Sequence, residues 1–312
     1  MTYSMMMNIK YSMKKNKYVI FILGPTAVGK TKVSIDIAKK IKTEIVSCDS
    51  RQFFKELKIG SAPPSLKELK EIPHHFIQHL SIKDDYNSGT FEIDAINKIK
   101  ELHKKYEKII LVGGSGLYID AICKGLDNIP KISPDVRKKL NLKYKENGIK
   151  WLQNEVIKIE PDVKDHANFK NPQRLLRILE VFEQTGKKLS SFHSKKIKKR
   201  PFKIIKIGLK IKREELYEKI NNRVDEMIKN GLIDEVKKLI PFSNNNALNT
   251  VGYKELFYFL KNEITLEKAI NNIKLNTRRF AKRQITWFKR DKEIKWFNIN
   301  QSDEIIKFIS KL

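Results

Sequence analysis

Gly24-Pro25-Thr26-Ala27-Val28-Gly29-Lys30-Thr31 follows the pattern GxxxxGK[ST], directly after an apolar run and before a helical one. Its glycines let the backbone curl until several N–H groups face one phosphate, and the following helix start adds positive potential. Lys30 supplies a mobile charge, and Thr31 a hydroxyl for Mg²⁺. In a nucleotide hydrolase, an Asp closing a further apolar strand completes such a site. Here Ile109-Ile110-Leu111-Val112 runs instead into Gly113-Gly114-Ser115-Gly116, and the nearest candidate carboxylate, Asp49, follows Ile45-Val46-Ser47-Cys48. The spacing leaves Asp49 open as a metal ligand or as a general base. On these residues alone the loop favours ATP, and a small-molecule kinase using Asp49 on a hydroxyl is one reading. A non-catalytic RNA-binding protein with a vestigial loop is another.

Arginine is the second chemical signal. The chain carries 64 Lys and Arg against 36 Asp and Glu, a net charge of +28, yet eleven of the 64 are Arg. Abundant Lys, Ile and Asn are what an AT-rich genome produces, so basicity alone does not establish nucleic-acid binding. A guanidinium, by contrast, grips phosphate or carboxylate in a planar fork. Arg174 and Arg177 fall on one face of a helix expected to start at Asn171-Pro172 and stop at Gly186, with Gln173 and Gln184 beside them. Leu175, Ile178, Leu179 and Phe182 are expected on its packed face. A last helix, expected over Asn276 to Asp291, would align Arg279, Arg283 and Arg290, anchored by Trp287 and Phe288.

The elements that must position these groups are legible as short apolar runs: Tyr18–Leu23, Ile45–Cys48, Ile109–Val112, Ile204–Leu209 and Ile294–Ile299. Helical stretches alternate with them, which predicts an α/β fold: a doubly wound parallel sheet with ligands at the carboxyl ends of its strands. Residues 132–197 read as helices alone, an all-helical insertion domain between core segments 17–131 and 198–312, with 1–16 a loose tail. At 312 residues, 40% hydrophobic and 32% charged, the chain is neither disordered nor a membrane protein, and no stretch reaches a span of about 20 apolar residues. Two cysteines, Cys48 and Cys123, give no disulfide framework and suit a reducing cytoplasm. His74, His75 and His79 lack cysteine or carboxylate company, so structural hydrogen bonding is expected of them rather than a metal site.

An ordered set of pieces resembles the tRNA dimethylallyltransferases: Gly24 to Thr31, Asp49-Ser50-Arg51-Gln52, Pro73-His74-His75, Leu111 to Tyr118, Asn171 to Arg177, Glu180 to Gly186, Gly252-Tyr253-Lys254-Glu255 and Ala281-Lys282-Arg283-Gln284. The resemblance implies a P-loop NTPase-like core whose loop, Gly24, Pro25, Thr26, Ala27, Val28, Gly29, Lys30 and Thr31, holds the diphosphate of dimethylallyl diphosphate, with Mg²⁺ on Thr31. It implies Asp49 as the base on N6 of the adenosine 3′ of the anticodon. Ser115, where the family usually has Thr, and Arg223 would stabilise the diphosphate. It further implies that Asp49, Ser50, Arg51, Gln52, Ser115, Arg137, Gln173, Arg174, Leu175, Leu176 and Arg177 meet the tRNA anticodon stem-loop, in a protein acting as a monomer. Ser61-Ala62-Pro63-Pro64 departs from the usual Thr-Ala-Lys-Pro, and Phe54 from a common Tyr.

Overall fold

The computed structural model describes residues 16–165, 169–194 and 196–312, so the expected N-terminal tail lies, up to residue 15, outside the described residues. Strands β1 (Tyr18–Leu23), β2 (Ile45–Ser47), β3 (His74–His75), β4 (Lys108–Gly113), β5 (Lys203–Lys210) and β6 (Lys295–Asn298) form one sheet in the order β3-β2-β4-β1-β5-β6, every pairing parallel. The expected doubly wound α/β architecture is the observed one. Its central strand β1 is buried along its whole length. Val19, Phe21 and Leu23 enter one core, while Tyr18, Ile20 and Ile22 enter the other. That two-sided burial is why the strand reads as an unbroken apolar run instead of an alternating one.

The core helices are α1 (Lys30–Ile41), α2 (Leu66–Glu71), α3 (Ser88–Leu102) and α4 (Gly116–Cys123) in the first half of the chain. The helical unit contributes α5 (Pro134–Ile159) and α6 (Pro172–Thr185). After it come α7 (Arg213–Lys229), α8 (Leu232–Lys238), α9 (Tyr253–Leu260), α10 (Leu266–Phe288) and α11 (Ser302–Ser310). The described residues fall into two compact units, one from residues up to 123 together with 199–312, the other within Lys124–Lys198. The helical unit thus starts at Lys124, immediately after α4, where the reading from sequence began it at Ile132.

Three further elements depart from the reading of the sequence. The edge strand β3 has no apolar run to announce it, because His74 and His75 pair over two residues with Ile45 and Val46. Helix α10 begins ten residues before the expected Asn276, where Thr265 caps it through the Lys268 N–H. It also stops at Phe288, so Arg290 sits in the closing turn and not in the arginine row. Helix α6 is capped at Asn171 and ended by Gly186 as expected, but Phe182 is 38% exposed, and Val181 packs inward in its place.

At the functional end of the sheet, β4 and β2 are pressed together. The Cys48 N–H donates to the Val112 carbonyl at 2.7 Å, and a Cβ on Gly113 would lie 2.7 Å from the Cys48 backbone. Gly113→Ala is therefore expected to cost about 2 kcal/mol of stability, the scale of a forced shift in a packed core. Urea unfolding followed by circular dichroism measures this.

Candidate active site

The loop from Gly24 to Gly29 leaves β1 and enters α1 with Gly29 in the left-handed region at φ 100° and no side-chain cap, so the first amides of α1 open onto the cavity in front of them. Lys30 lies over its own loop, donating to the carbonyls of Gly24 at 3.0 Å and Pro25 at 2.8 Å. Burial pushes its ammonium down to about 8; the charge of Asp49 works against that shift, and the Arg223 guanidinium adds to it. Arg223, from α7, reaches the Thr26 hydroxyl at 3.5 Å and the Ala62 carbonyl at 3.3 Å. Its own pKa is likewise depressed by burial and supported by Asp49.

The Asp49-Ser50 turn sits at the end of β2. Asp49 Oδ1 accepts the Arg51 N–H at 3.1 Å, closing the turn. The Ser115 hydroxyl accepts the Ser50 N–H at 3.1 Å and contacts Ser50 Oγ at the same distance. The structure thereby brings Asp49, Ser50 and Ser115 together across the β2–β4 junction. Gln52 donates to the Ala62 carbonyl at 2.9 Å. The Arg51 guanidinium donates to the carbonyls of Asn246, Ala247 and Asn249, so it ties a later segment of the core to the Asp49 turn.

Two cavities meet on these residues. One, of about 450 Å³, is lined by the loop residues Thr26, Ala27, Gly29, Lys30 and Thr31 together with Asp49 and Gln52. The other, of about 690 Å³, is lined by Ser50, Ser115, Tyr118, Met227, Phe280 and Trp287 among others. Thr26, Asp49, Ser61 and Arg223 line both. Ser115, expected beside the diphosphate, lines the second cavity and not the one that holds Lys30 and Thr31. His74 lines the first, with Nδ1 on the Ile72 carbonyl. His75 pairs with Glu44 at 2.6 Å, and His79 joins the aromatic cluster of Phe53, Phe76 and Tyr86.

The helical unit presents its own cationic face. Arg137 and Arg177 both pair with one carboxylate, Glu180, at 3.1 and 3.6 Å. Glu180 itself is only 6% exposed. Gln173 and Arg174 are exposed beside them. Leu175 and Leu176, expected among the RNA contacts, are 1% and 7% exposed in the core of this unit. That expectation is corrected for their side chains: α6 is amphipathic, and these two residues anchor the face that carries the arginines.

The sequence matches the IPP transferase family over residues 52–291. It is 54% identical to a tRNA dimethylallyltransferase of Christiangramia forsetii, over 93% of this chain and 96% of that one. With the Flavobacterium psychrophilum tRNA dimethylallyltransferase it shares 49% identity over 94% and 98%. The chain belongs to the tRNA dimethylallyltransferase family. Among solved structures, the full-length tRNA isopentenylpyrophosphate transferase of Bacillus halodurans is 34% identical, with a TM-score of 0.70, covering 95% of this chain and 96% of that one. A eukaryotic dimethylallyltransferase acting on tRNA is 28% identical, with a TM-score of 0.78 and coverage of 95% and 80%.

Within this family frame, some supports of the site had no sequence signal. Glu235, in the unremarkable helix α8, accepts the N–H groups of Lys58, Ile59 and Gly60 at 2.8, 2.7 and 3.1 Å, and the Tyr253 hydroxyl at 2.6 Å. It fixes the segment whose Ala62 carbonyl receives both Gln52 and Arg223. Tyr253 belongs to a family motif, but nothing in the motif tells what it touches. Glu235→Ala leaves four donors without their acceptor and is expected to cost about 2 to 3 kcal/mol, against about 1 for Tyr253→Phe. Chemical unfolding of the two variants in parallel distinguishes these costs.

Proposed function

We propose that the chain transfers a dimethylallyl group from dimethylallyl diphosphate to N6 of the adenosine immediately 3′ of the anticodon in tRNA, releasing pyrophosphate. The observation that carries this reading is the pair of cavities sharing Thr26, Asp49, Ser61 and Arg223. A diphosphate in the first and an adenine in the second would meet at Asp49. The N6–carbon bond forms as the carbon–oxygen bond to diphosphate breaks, and the N6 proton passes to the Asp49 carboxylate. Adenine N6 is a weak nucleophile because its lone pair is delocalised into the ring, so alignment and a base both matter.

Lys30, the loop amides and Arg223 face the charge that grows on the departing diphosphate. On the first cavity Lys30, Lys219 and Arg223 stand against the carboxylates of Asp49 and Glu226, which leaves positive charge that an anion neutralises. Mg²⁺ suits the donors present: Thr31 and Asp49 offer hard oxygens to the first cavity. The described residues hold no group of three or more His, Cys, Asp or Glu that would make an all-protein cage, and Mg²⁺ is commonly held by one or two protein oxygens plus phosphates. When bound, the ion supplies charge to the leaving group.

The RNA side rests on the exposed Gln173 and Arg174 of α6, the half-buried Arg177 beside them, and Arg137, with Asp49 to Gln52 and Ser115 meeting the flipped adenosine. The chain acts as a cytoplasmic monomer. No described helix is long and apolar enough to cross a membrane, and the two buried free thiols suit a reducing compartment. A single sedimenting species near 36.6 kDa checks the monomer.

Protein incubated with Mg²⁺, dimethylallyl diphosphate and tRNA is expected to yield pyrophosphate and prenylated adenosine, and ADP from ATP instead would refute the transfer. Asp49→Ala is expected to slow turnover about a hundredfold or more while tRNA affinity stays nearly intact. For Arg174→Ala and Arg177→Ala, weaker stem-loop binding is expected, with the log–log salt slope shallower by about one per residue. An unchanged slope in filter binding across a salt series would show that these side chains face no phosphate.

A further inference from the structure

Helix α10 delivers one buried amide between the two functional loops. Gln284, 6% exposed, accepts the Thr26 N–H on Oε1 at 2.8 Å and donates from Nε2 to the Gly114 carbonyl at 2.9 Å. The first bond ends on the phosphate-facing loop. The second ends on the residue before Ser115, whose hydroxyl receives the Asp49-Ser50 turn. The fit is close: a Cβ on Gly114 would stand 2.3 Å from the Gln284 Nε2. One turn on, Trp287 of the same helix lines the second cavity.

A primary amide offers an acceptor and a donor side by side on one rigid plane. Here both are taken by backbone, one from each loop, and the arrangement works in one orientation: Thr26 needs an acceptor, and the Gly114 carbonyl needs a donor. The Thr26 N–H is therefore committed to the scaffold and not to phosphate. We infer that Gln284 is a positioning residue for the transfer: it holds the diphosphate loop at a set distance from the Ser115 turn, and through Ser115 from Asp49. It acts through these loops. The inference rests on the transfer reading above, because it assigns the leaving group to one of the coupled loops and the nucleophile to the other.

Two substitutions separate the bonds. Gln284→Met removes both at similar volume. Gln284→Glu keeps an acceptor for Thr26 but turns a second acceptor on the Gly114 carbonyl. In single-turnover assays with dimethylallyl diphosphate and an anticodon stem-loop, both are expected to react about ten- to a hundredfold more slowly, the scale of small misalignments. Stem-loop affinity should remain within about twofold of the unsubstituted protein. The Glu variant should recover relative to the unsubstituted protein as pH falls, since its protonated carboxyl regains a donor for Gly114. Gly114→Ala, which crowds the amide without removing it, should show the same loss of rate and serves if the Gln284 variants do not fold. A Gln284→Met rate within about twofold of the unsubstituted protein overturns the inference, as does a loss of rate explained wholly by lost stem-loop affinity. If the unsubstituted protein forms no prenylated adenosine, the transfer reading fails instead. Calorimetric titration with pyrophosphate and Mg²⁺ then reads the loop alone, with about tenfold weaker binding expected for Gln284→Met and unchanged binding overturning the positioning role.

Discussion

The site depends on the backbone-on-backbone approach of Gly113 to Cys48. Adjacent parallel strands lie about 4.8 Å apart, and the order β2-β4-β1 sets three strand ends side by side. What leaves those ends is set by that spacing: the Asp49 turn from β2, the Ser115 turn from β4 and the Thr26 loop from β1. Because no side chain stands between Gly113 and Cys48, the Asp49-Ser50 turn folds directly onto the Ser115 hydroxyl. A wider junction would separate Asp49 from the Ser115 turn without altering any strand.

Around that junction, charge is arranged so that the protein alone does not neutralise it. Lys30 and Arg223 are both drawn from water and both depressed in pKa by burial, with Asp49 an opposing charge in each case and Glu226 a second one for Arg223. Such a cluster is costly until an anion of suitable size enters. The helical unit solves a different problem. There Glu180 sits buried beneath Arg137 and Arg177 and fixes the direction of two long side chains. Arginines held this way lose less conformational entropy on meeting phosphate than free ones.

The central strands β1 and β4 were legible because nothing polar interrupts their apolar runs, and the phosphate loop was legible because its spacing is a backbone requirement. The Asn171 cap and Gly186 stop of α6 were legible for the same local reason. Elements held by tertiary contacts were not. β3 is two histidines whose pairing is supplied by β2, and α10 starts at a single threonine cap well before the arginine row. In α6, the family pattern around Arg174 and Arg177 drew Leu175 and Leu176 into the expected RNA surface, whereas helical period turns their side chains into the core. Glu235 and Gln284 are further cases, since their partners lie far away in sequence and no local pattern announces a carboxylate or amide that binds remote backbone.

The same packing accounts for the feature that first set this loop apart from a nucleotide hydrolase's. At the end of β4, where a hydrolase can carry a metal-binding carboxylate, the chain has Gly113 and Gly114. At Gly113 a Cβ would meet the Cys48 backbone, and at Gly114 it would meet the Gln284 amide. Neither position has room for an aspartate without moving Asp49 or releasing the loop that carries Thr26. The missing carboxylate is thus a consequence of drawing β2 and β4 together, which also brings the acid at the end of β2 to the shared wall of the two cavities. Asp49 there lines both cavities, which in the transfer proposed above is the place for accepting a proton from an incoming amine.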